Sequence, residues 1–339
     1  MSTFDSPSGV LPDQLSTPDE IARFVVEAAV SAPSVSNTQP WWFYVVDREI
    51  GMHADDERGL PVADPDGREM MISCGAALFT ARVALRSLGI VPKVRILPEQ
   101  DLPTLVAKID LSETVPAADY ERELFAAIRK RRTHRGGFDH EPVPDALVTE
   151  LRVEASKEGA NLRILGDEAQ RDGLAAVVQA GDFALRHEPA RAREQAHWAT
   201  APGSKRRDGV PPTAYPARQA RIEPNFPARD FARGRGWGLP PDGTGRPPGS
   251  AGVVALLTTS SDRPRDWIAA GQALQRSLLF AASCGLSAAL HSQPLELPQL
   301  REFTRAQFCE GAFPQMILRF GTTGQAAVSI RRPVEDVLL

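Results

Sequence analysis

Two basic stretches of this chain contain residue types that bind small anions. The loop 131–138 reads RRTHRGGF, with Arg131, Thr133 and Arg135 at alternate positions, and residues 329–332 read SIRR. Guanidinium groups form paired hydrogen bonds with phosphate, and hydroxyl groups add further donors. Arginines at helix ends are also commonly solvated, where they interact with the negative end of the helix dipole. From these residues alone, a phosphate site and a solvated basic cluster both stay open.

A third stretch is polar and lies between two apolar segments. Residues 33–39 read PSVSNTQ, after the amphipathic segment 17–32 and before the aromatic run WWFYVV. Asn and Ser commonly cap helices and form turns, so a plain loop is one interpretation. The other interpretation is a set of polar groups that contact a bound ligand.

Other kinds of catalytic site are not indicated. The sequence contains no HExxH, no Ser/His/Asp set at a recognisable spacing and no phosphate-cradling glycine motif. Its three cysteines, Cys74, Cys284 and Cys309, form no CxxC or Cys/His pattern, so we expect no metal site and a reduced, cytoplasmic location. A lone histidine at a predicted strand end, His291, is more commonly structural than reactive. No catalytic residue is therefore assigned.

Composition narrows the classes of partner. The 339 residues carry a formal net charge of -4, so no overall positive field attracts nucleic acid or an anionic membrane surface. No run reaches the roughly 18 consecutive apolar residues that a membrane-spanning helix needs. Residues 1–16 lack the basic and apolar regions of a secretion signal, and we predict a flexible leader there.

Hydrophobic spacing predicts the elements that position these stretches. In the first part of the chain we expect helices at 17–32 and 68–89 and strands at 41–47, 51–55, 92–98 and 104–111. In the second part we expect helices at 119–132, 145–159, 167–187, 263–285 and 296–308, and strands at 161–166, 251–260, 286–293 and 314–321. Each part has an Ala-rich helix that ends near Gly and precedes a short strand, and we interpret VRIL (94–97) and MILR (316–319) as equivalent strands. The chain thus reads as two similar halves, 17–115 and 116–339.

Residues 188–250 differ from both halves in composition. They are dense in Pro, Gly and Arg, so their composition predicts neither a packed core nor a regular element. Disordered linkers seldom keep many aromatic residues, and this segment has Trp198, Tyr215, Phe226, Phe231 and Trp237. We interpret the segment as a lid inserted in the second half.

Four stretches together resemble the nitroreductase-like flavoproteins. The first is the pattern A-P-S-x-x-N-x-Q-P-W at 32–41, and the second is the loop 131–138, which is similar to the family's Arg-Arg-Ser-x-Arg loop. Residues 273–296 resemble the central helix and the loop under the flavin, and residues 314–338 resemble the closing strand and basic tail. The Arg loop follows the Asn-Gln-Pro-Trp motif here, whereas it precedes that motif in an ordinary subunit. This order resembles the Acg-type branch, in which one chain looks like a fused dimer.

The resemblance implies an α+β fold: two similar halves, each with a mainly antiparallel sheet packed by helices, fused as a pseudo-dimer. It also implies one complete FMN site per chain. The implied phosphate ligands are Arg131, Thr133, Arg135, Ser329, Arg331 and Arg332. The implied contacts to the ribityl chain and the ring edge are Pro33, Ser34, Val35, Asn37 and Gln39, and the stretch beside the ring is His291, Ser292 and Gln293. His134 occupies a position that varies in the family, and we expect it to face solvent.

Two functions fit these expectations. One is an oxidoreductase in which NAD(P)H reduces the FMN, which then reduces a small organic acceptor. The other is an FMN storage or sequestering protein whose lid covers the flavin and leaves little or no turnover. A scaffold that has lost flavin is a third, poorer alternative. Because the fused chain already contains the interface of the ordinary dimer, we expect a monomer or a weak homodimer.

Overall fold

A computed structural model describes residues 17–240, 248–324 and 328–339. The leader predicted for residues 1–16 lies outside the described residues. Within them the α-helices are α1 (Pro18–Ala29), α2 (Arg68–Ser87), α3 (Asp119–Ile128), α4 (Asp145–Ser156), α5 (Glu168–His187), α6 (Pro189–His197), α7 (Pro264–Ser283) and α8 (Pro298–Phe308). The strands are β1 (Trp41–Val46), β2 (Glu49–Ala54), β3 (Ile90–Ile96), β4 (Leu105–Thr114), β5 (Asn161–Ile164), β6 (Ile222–Glu223), β7 (Gly249–Ser250), β8 (Val253–Thr259), β9 (Ser287–His291) and β10 (Phe313–Gly321).

Local signals account for the first helix and the strand that follows it. Thr17 caps α1, since its hydroxyl accepts from the Glu20 amide at 3.3 Å while Glu20 Oε2 accepts from the Thr17 amide at 3.0 Å. This capping box satisfies two amide groups that the first turn cannot pair within the helix. The aromatic run after the polar stretch forms β1, whose Trp41 and Phe43 are fully buried.

Two four-stranded antiparallel sheets have the same strand order. The first is ordered β1-β2-β4-β3 and the second β5-β8-β10-β9, so each places its strands in the order first, second, fourth, third. The α+β class and the two similar halves are therefore confirmed. One detail of the predicted repeat is wrong: the stretch 94–97 contributes to the third strand of its sheet, whereas 316–319 lies in the fourth. The short-range pattern of these strands is alike, but their partners in the sheets are not.

The central helices of the two halves cross with both backbones in close approach. A Cβ built on Gly75 of α2 would lie 2.2 Å from the Ile268 carbonyl oxygen, and one on Gly271 of α7 would lie 2.0 Å from the Ile72 carbonyl oxygen. Each glycine thus faces the carbonyl three residues before its counterpart. Such reciprocal contacts characterise a two-fold interface, and here both sides belong to one chain, which folds as a pseudo-dimer.

The end of the chain returns to the first sheet. The Phe43 amide donates to the Val337 carbonyl at 2.6 Å, and the Leu339 amide donates to the Phe43 carbonyl at 2.9 Å. Val334 and Val337 join the apolar core of the first half. The C-terminal segment therefore carries Arg331 and its neighbours from β10 across to the polar stretch that precedes β1.

The segment 188–250 contains more order than its composition predicts. It begins with α6 and packs its own apolar cluster, which includes Val210, Tyr215 and Phe231. The expectation of no regular element and no packed core was wrong, because small and aromatic side chains cluster here while the Pro and Gly residues form the turns between them. Residues 241–247 of the predicted lid lie outside the described residues. In the described ranges no helix is long and apolar enough to cross a membrane.

Candidate functional site

A cleft between the halves contains about 1100 Å³ of empty space, including space that opens to solvent. Three parts of the chain form its wall. The first half contributes the polar stretch and the start of α2. The second half contributes the arginine loop, the end of β9 and the basic tail. The third part is the segment 188–250. Of the sequence-predicted site residues, the wall contains Pro33, Ser34, Val35, Asn37, Thr133, Arg135, His291, Ser292, Gln293, Ser329 and Arg331.

The polar stretch has a strained backbone. Ser36, Asn37 and Gln39 have φ values of 46°, 56° and 52°, in the left-handed region that non-glycine residues seldom adopt. Hydrogen bonds hold this conformation: the Val35 amide donates to Ser73 Oγ at 3.1 Å, and the Gln39 amide donates to Ser34 Oγ at 2.9 Å. Strain of this kind concentrates at ligand-binding sites. The sequence indicated the polar composition of the stretch but not its conformation.

Arginines without acidic partners converge at one end of the cleft. Arg331 donates to Asn37 Oδ1 at 2.9 Å and to the Ser31 carbonyl at 3.1 Å, and Arg131 donates to the same Ser31 carbonyl at 3.2 Å. Arg135 donates to the Ala214 carbonyl at 2.9 Å. Within the described ranges, none of these three guanidinium groups forms an ion pair with a carboxylate. The local positive charge is therefore uncompensated.

The pKa values of these three arginines are lowered. Removal from water lowers the pKa of Arg331 to about 10, with the charges of Arg132 and Arg135 adding to the effect. Removal from water likewise lowers the pKa of Arg135 to about 10, and it lowers that of Arg131 well below its usual range, with help from Arg331. A bound anion would relieve this repulsion, because opposite charge favours the protonated guanidinium.

Three of the predicted ligands do not line the cleft. Arg131 is 4% exposed, and its Nε and Nη1 have no hydrogen-bond partner among the described residues. Gln39 joins the tail to the segment 188–250, since its Oε1 accepts from the Arg332 amide at 2.8 Å and its Nε2 donates to the Arg207 carbonyl at 2.9 Å. Arg332 donates to the Trp41 carbonyl at 3.4 Å and lies 3.8 Å from Asp55. Gln39 and Arg332 therefore stabilise the wall through contacts outside the cleft.

The cleft wall also contains a neutral histidine. His291 Nε2 accepts from Arg319 Nε at 2.9 Å, and both side chains are buried. Burial and the charge of Arg319 lower the pKa of His291 well below its usual range. Since Nε2 is the acceptor, the single ring hydrogen is on Nδ1. Ser292 Oγ, next in the chain, accepts from Arg229 Nη2 at 3.1 Å and donates to Glu296 Oε1 at 2.9 Å.

The expectation that His134 faces solvent was wrong. Its side chain is buried, its Nε2 lies 2.9 Å from the Gly137 carbonyl, and its ring packs against Phe138 with 5.0 Å between ring centroids. Burial lowers its pKa. Because α3 ends at Ile128, the loop folds back along β9, where the His134 amide donates to the Ala288 carbonyl at 2.8 Å.

Sequence reasoning missed several residues of the wall. Glu69 and Ser73 lie on α2, and the segment 188–250 contributes Arg229 and Phe231 as well as Val210, Pro211 and Ala214. One signal was available for Glu69: it is an acidic residue at the start of a helix that is apolar nearly all round. Nothing in the composition of the segment 188–250 indicated which of its residues reach the cleft.

Comparison with known proteins defines the class of this chain. No family model matches it. It is 35% identical over 304 residues to the Mycobacterium tuberculosis (strain H37Rv) protein named "Putative NAD(P)H nitroreductase Rv3131", covering 89% of this chain and 85% of that protein. It is 27% identical over 332 residues to "Putative NAD(P)H nitroreductase acg" of the same strain, covering 96% of this chain and 97% of that protein. The chain belongs to the nitroreductase-like family, in the branch that contains Acg.

Solved structures with lower similarity include two nitroreductases. One is a nitroreductase with bound FMN from Desulfitobacterium hafniense, with a TM-score of 0.40 and 15% identity over 63% of this chain and 95% of that chain. Another is the FMN-dependent nitroreductase NfnB from Mycobacterium smegmatis in complex with NADPH, with a TM-score of 0.38, 17% identity and the same two coverages, 63% and 95%. Similarity of this extent assigns no ligand to this chain.

Proposed function

We propose that this chain binds one FMN in the cleft between its halves and uses it as an oxidoreductase, with NAD(P)H as donor and a small organic compound as acceptor. The observation that carries the proposal is the group of arginines without carboxylate partners at one end of the cleft. A phosphomonoester such as that of FMN carries close to two negative charges near neutral pH. Arg135 and Arg331, with the hydroxyls of Thr133 and Ser329, supply the charges and donors that this group needs.

The remaining wall fits the rest of the cofactor chemically. Ser34 and Asn37 offer polar groups for ribityl hydroxyls, and the stretch His291–Gln293 offers backbone amides. When bound, the flavin supplies the hydride chemistry, while the protein supplies binding, orientation and the electrostatic environment. Arg131 lies behind the phosphate end, and its unpartnered Nε and Nη1 leave donors available there.

FMN storage is a second candidate function, and the segment 188–250 is the observation that favours it. Gly209 in this segment both donates its amide to the Asn37 carbonyl at 3.0 Å and accepts from Asn37 Nδ2 at 2.7 Å. Asp208 pairs with Arg58 of the first half at 2.7 Å. We propose that this segment acts as a lid, since a closed lid would hinder hydride exchange with NAD(P)H.

The two functions predict different turnover. FMN-saturated protein is mixed with NADH or NADPH, and nucleotide oxidation is followed with a panel of quinones and nitroaromatic compounds. The oxidoreductase predicts steady acceptor-dependent oxidation. Tight FMN retention with no oxidation by any acceptor would contradict the oxidoreductase and support storage. Arg58→Gln, which removes a tether of the lid outside the cleft wall, serves as a second sample: turnover that appears only in this variant would also support storage in the native chain.

The division into halves 17–115 and 116–339 remains part of this proposal, as does the oligomeric state. The α2 and α7 crossing already forms inside one chain the contact that a two-fold dimer would form between chains. We therefore propose a monomer or a weak homodimer in solution.

A further inference from the structure

One acidic side chain in the cleft wall has a carboxyl oxygen without a hydrogen-bond partner among the described residues. Glu69 lies in the first turn of α2, lines the cleft and is 3% exposed. Its Oε1 accepts from Arg68 Nη2 at 3.0 Å, while its Oε2 has no hydrogen-bond partner among the described residues. A buried carboxylate oxygen without a donor is costly, whereas a protonated oxygen is itself a donor.

Glu69 has no role in capping its helix. Asp64 takes that role, because its Oδ2 accepts from the Met70 amide at 2.9 Å. Helix capping therefore does not explain why an acidic residue occupies this position of a buried helix. Its place in the wall, which Ser73 and His291 also line, puts it beside whatever the cleft holds.

The charged groups around Glu69 come from four parts of the chain. Arg68 precedes it on α2, Asp64 lies in the preceding loop, Glu296 follows β9, and Arg229 belongs to the segment 188–250. Burial, with the negative charges of Glu296 and Asp64, outweighs the two arginines and raises the pKa of Glu69 to about 8. The raised pKa favours the protonated carboxylic acid near neutral pH.

We propose that Glu69 is the proton donor for the reduction of the acceptor, an inference that rests on the proposed oxidoreductase function. The acceptor takes a hydride, with its electron pair, from the reduced flavin and one proton from Glu69 Oε2. A quinone thereby becomes a hydroquinone, the flavin is reoxidised, and Glu69 is left as a carboxylate stabilised by Arg68. Solvent then returns the proton.

His291 is less suited to this role. Its Nε2 is occupied by Arg319, so the only proton it could give is the one on Nδ1 of a neutral ring. Loss of that proton would leave an imidazolate, which is far more basic than a carboxylate. His291 can orient a ligand by donating a hydrogen bond, and Glu69 is the wall residue with an acidic proton to transfer.

The experiment compares two acceptors that differ in their need for a proton. FMN-loaded protein is reduced with dithionite and reoxidised in rapid-mixing experiments by p-benzoquinone, which needs a proton with the hydride, or by ferricyanide, which takes electrons alone. Glu69→Gln should slow reoxidation by the quinone by ~100-fold at neutral pH, the low end of what general acid catalysis contributes, and leave ferricyanide unaffected. Glu69→Asp should recover part of the quinone rate.

A matched control is available on another helix. Glu27 on α1 is also partly buried with a raised pKa, but it does not line the cleft, so Glu27→Gln should behave as the native chain with both acceptors. Equal slowing of Glu69→Gln with both acceptors would show a structural role and overturn the proposal, as would an unchanged quinone rate. Dithionite replaces NAD(P)H in this experiment. The role of Glu69 is therefore tested even if NAD(P)H does not reduce the protein, which is the outcome that would contradict the proposed function.

Two readouts need no turnover. The infrared difference between native and Glu69→Gln protein should contain a carboxylic acid band near neutral pH that disappears around pH 8. The pKa of Glu69 is raised from its ordinary value of 4.5 to about 8 in the folded protein. Its contribution to stability is therefore fully present below pH 4.5 and is lost as pH rises through about 8. Native protein should therefore lose stability relative to Glu69→Gln over this range. A carboxylate band at neutral pH, with no change in relative stability, would overturn the proposal.

Discussion

The two halves of this molecule share a scaffold and differ in what is attached to it. Both have a 12-residue helix before the sheet, α1 and α4, and a 20-residue central helix, α2 and α7. Both sheets have the strand order first, second, fourth, third. The largest differences lie in the connections between these elements, and several of those connections line the cleft.

Three of the connections that differ contribute to the cleft wall in one half only. Between the 12-residue helix and the first strand, the first half has residues 30–40, which include the polar stretch, whereas the second has only 157–160, which reads KEGA. Between the first and second strands, the first half has the tight turn 47–48, whereas the second inserts 165–252. After the fourth strand, the second half has the basic tail and the first half has VPAA at 115–118. Each half therefore lacks parts that the other supplies.

The comparison explains why we expect one cofactor per chain. The arginine loop precedes the 12-residue helix of the second half, and residues 1–16, which precede the 12-residue helix of the first half, lie outside the described residues. VPAA would stand where the basic tail stands. The basic tail that we propose to bind the phosphate therefore has no basic equivalent after the fourth strand of the first half, and we propose a single site per chain.

The largest effect we predict is on FMN affinity when the charges of the second half are removed. Each lost charge-assisted contact costs roughly 1.5–3 kcal/mol, so Arg135→Ala combined with Arg331→Ala should weaken FMN binding by about 10²- to 10⁴-fold. Fluorescence titration measures this for FMN and for riboflavin, which lacks the phosphate. The preference for FMN over riboflavin should disappear in the double variant.

Two arginines outside the cleft wall, Arg122 and the half-buried Arg305, provide the control for that experiment. Among the described acidic residues they pair only with neighbours on their own helices, so their replacement by Ala should leave both affinities unchanged. A folded Arg135/Arg331 double variant that still prefers FMN as strongly as the native chain would contradict the phosphate assignment.

A smaller effect, on the free energy of unfolding, should follow from disturbing the close crossing of α2 and α7, to which both halves contribute. Gly271→Ala would place a Cβ 2.0 Å from the Ile72 carbonyl oxygen and 2.9 Å from Gly75 Cα, and a backbone cannot yield as a flexible side chain can. Overpacking of this kind costs about 1–3 kcal/mol of unfolding free energy. Denaturant unfolding of FMN-free protein measures it. Gly166→Ala, where a Cβ meets nothing within 4 Å, is the matched control, and equal stability of the two variants would contradict the close crossing.

Much of the fold could be predicted from local sequence signals. The capping residues of α1, the aromatic run of β1 and the Gly at the end of each central helix act within a few residues, so their effect is visible in the sequence. The arginine loop and the tail were brought together by resemblance to a family, since they are far apart in the chain and local patterns do not report long-range contacts.

What could not be predicted depends on tertiary contacts. The left-handed backbone at Ser36 and Asn37 is held by Ser73 and by Gly209, which are distant in sequence. The burial of His134 follows from the pairing of its loop with β9. The raised pKa of Glu69 comes from burial and from the charge of Glu296, which lies on the other half. Each of these features depends on contacts between residues that are far apart in the sequence.

The central claim is that two similar halves form one FMN site. The measurement that tests it most directly is the FMN content of the chain: pure protein is saturated with FMN, freed of unbound cofactor and denatured, and the released FMN is quantified against protein concentration. We predict one FMN per chain. Two per chain would contradict the claim by showing that the counterpart cleft also binds the cofactor, and none would remove the ligand that the unpartnered arginines are proposed to bind.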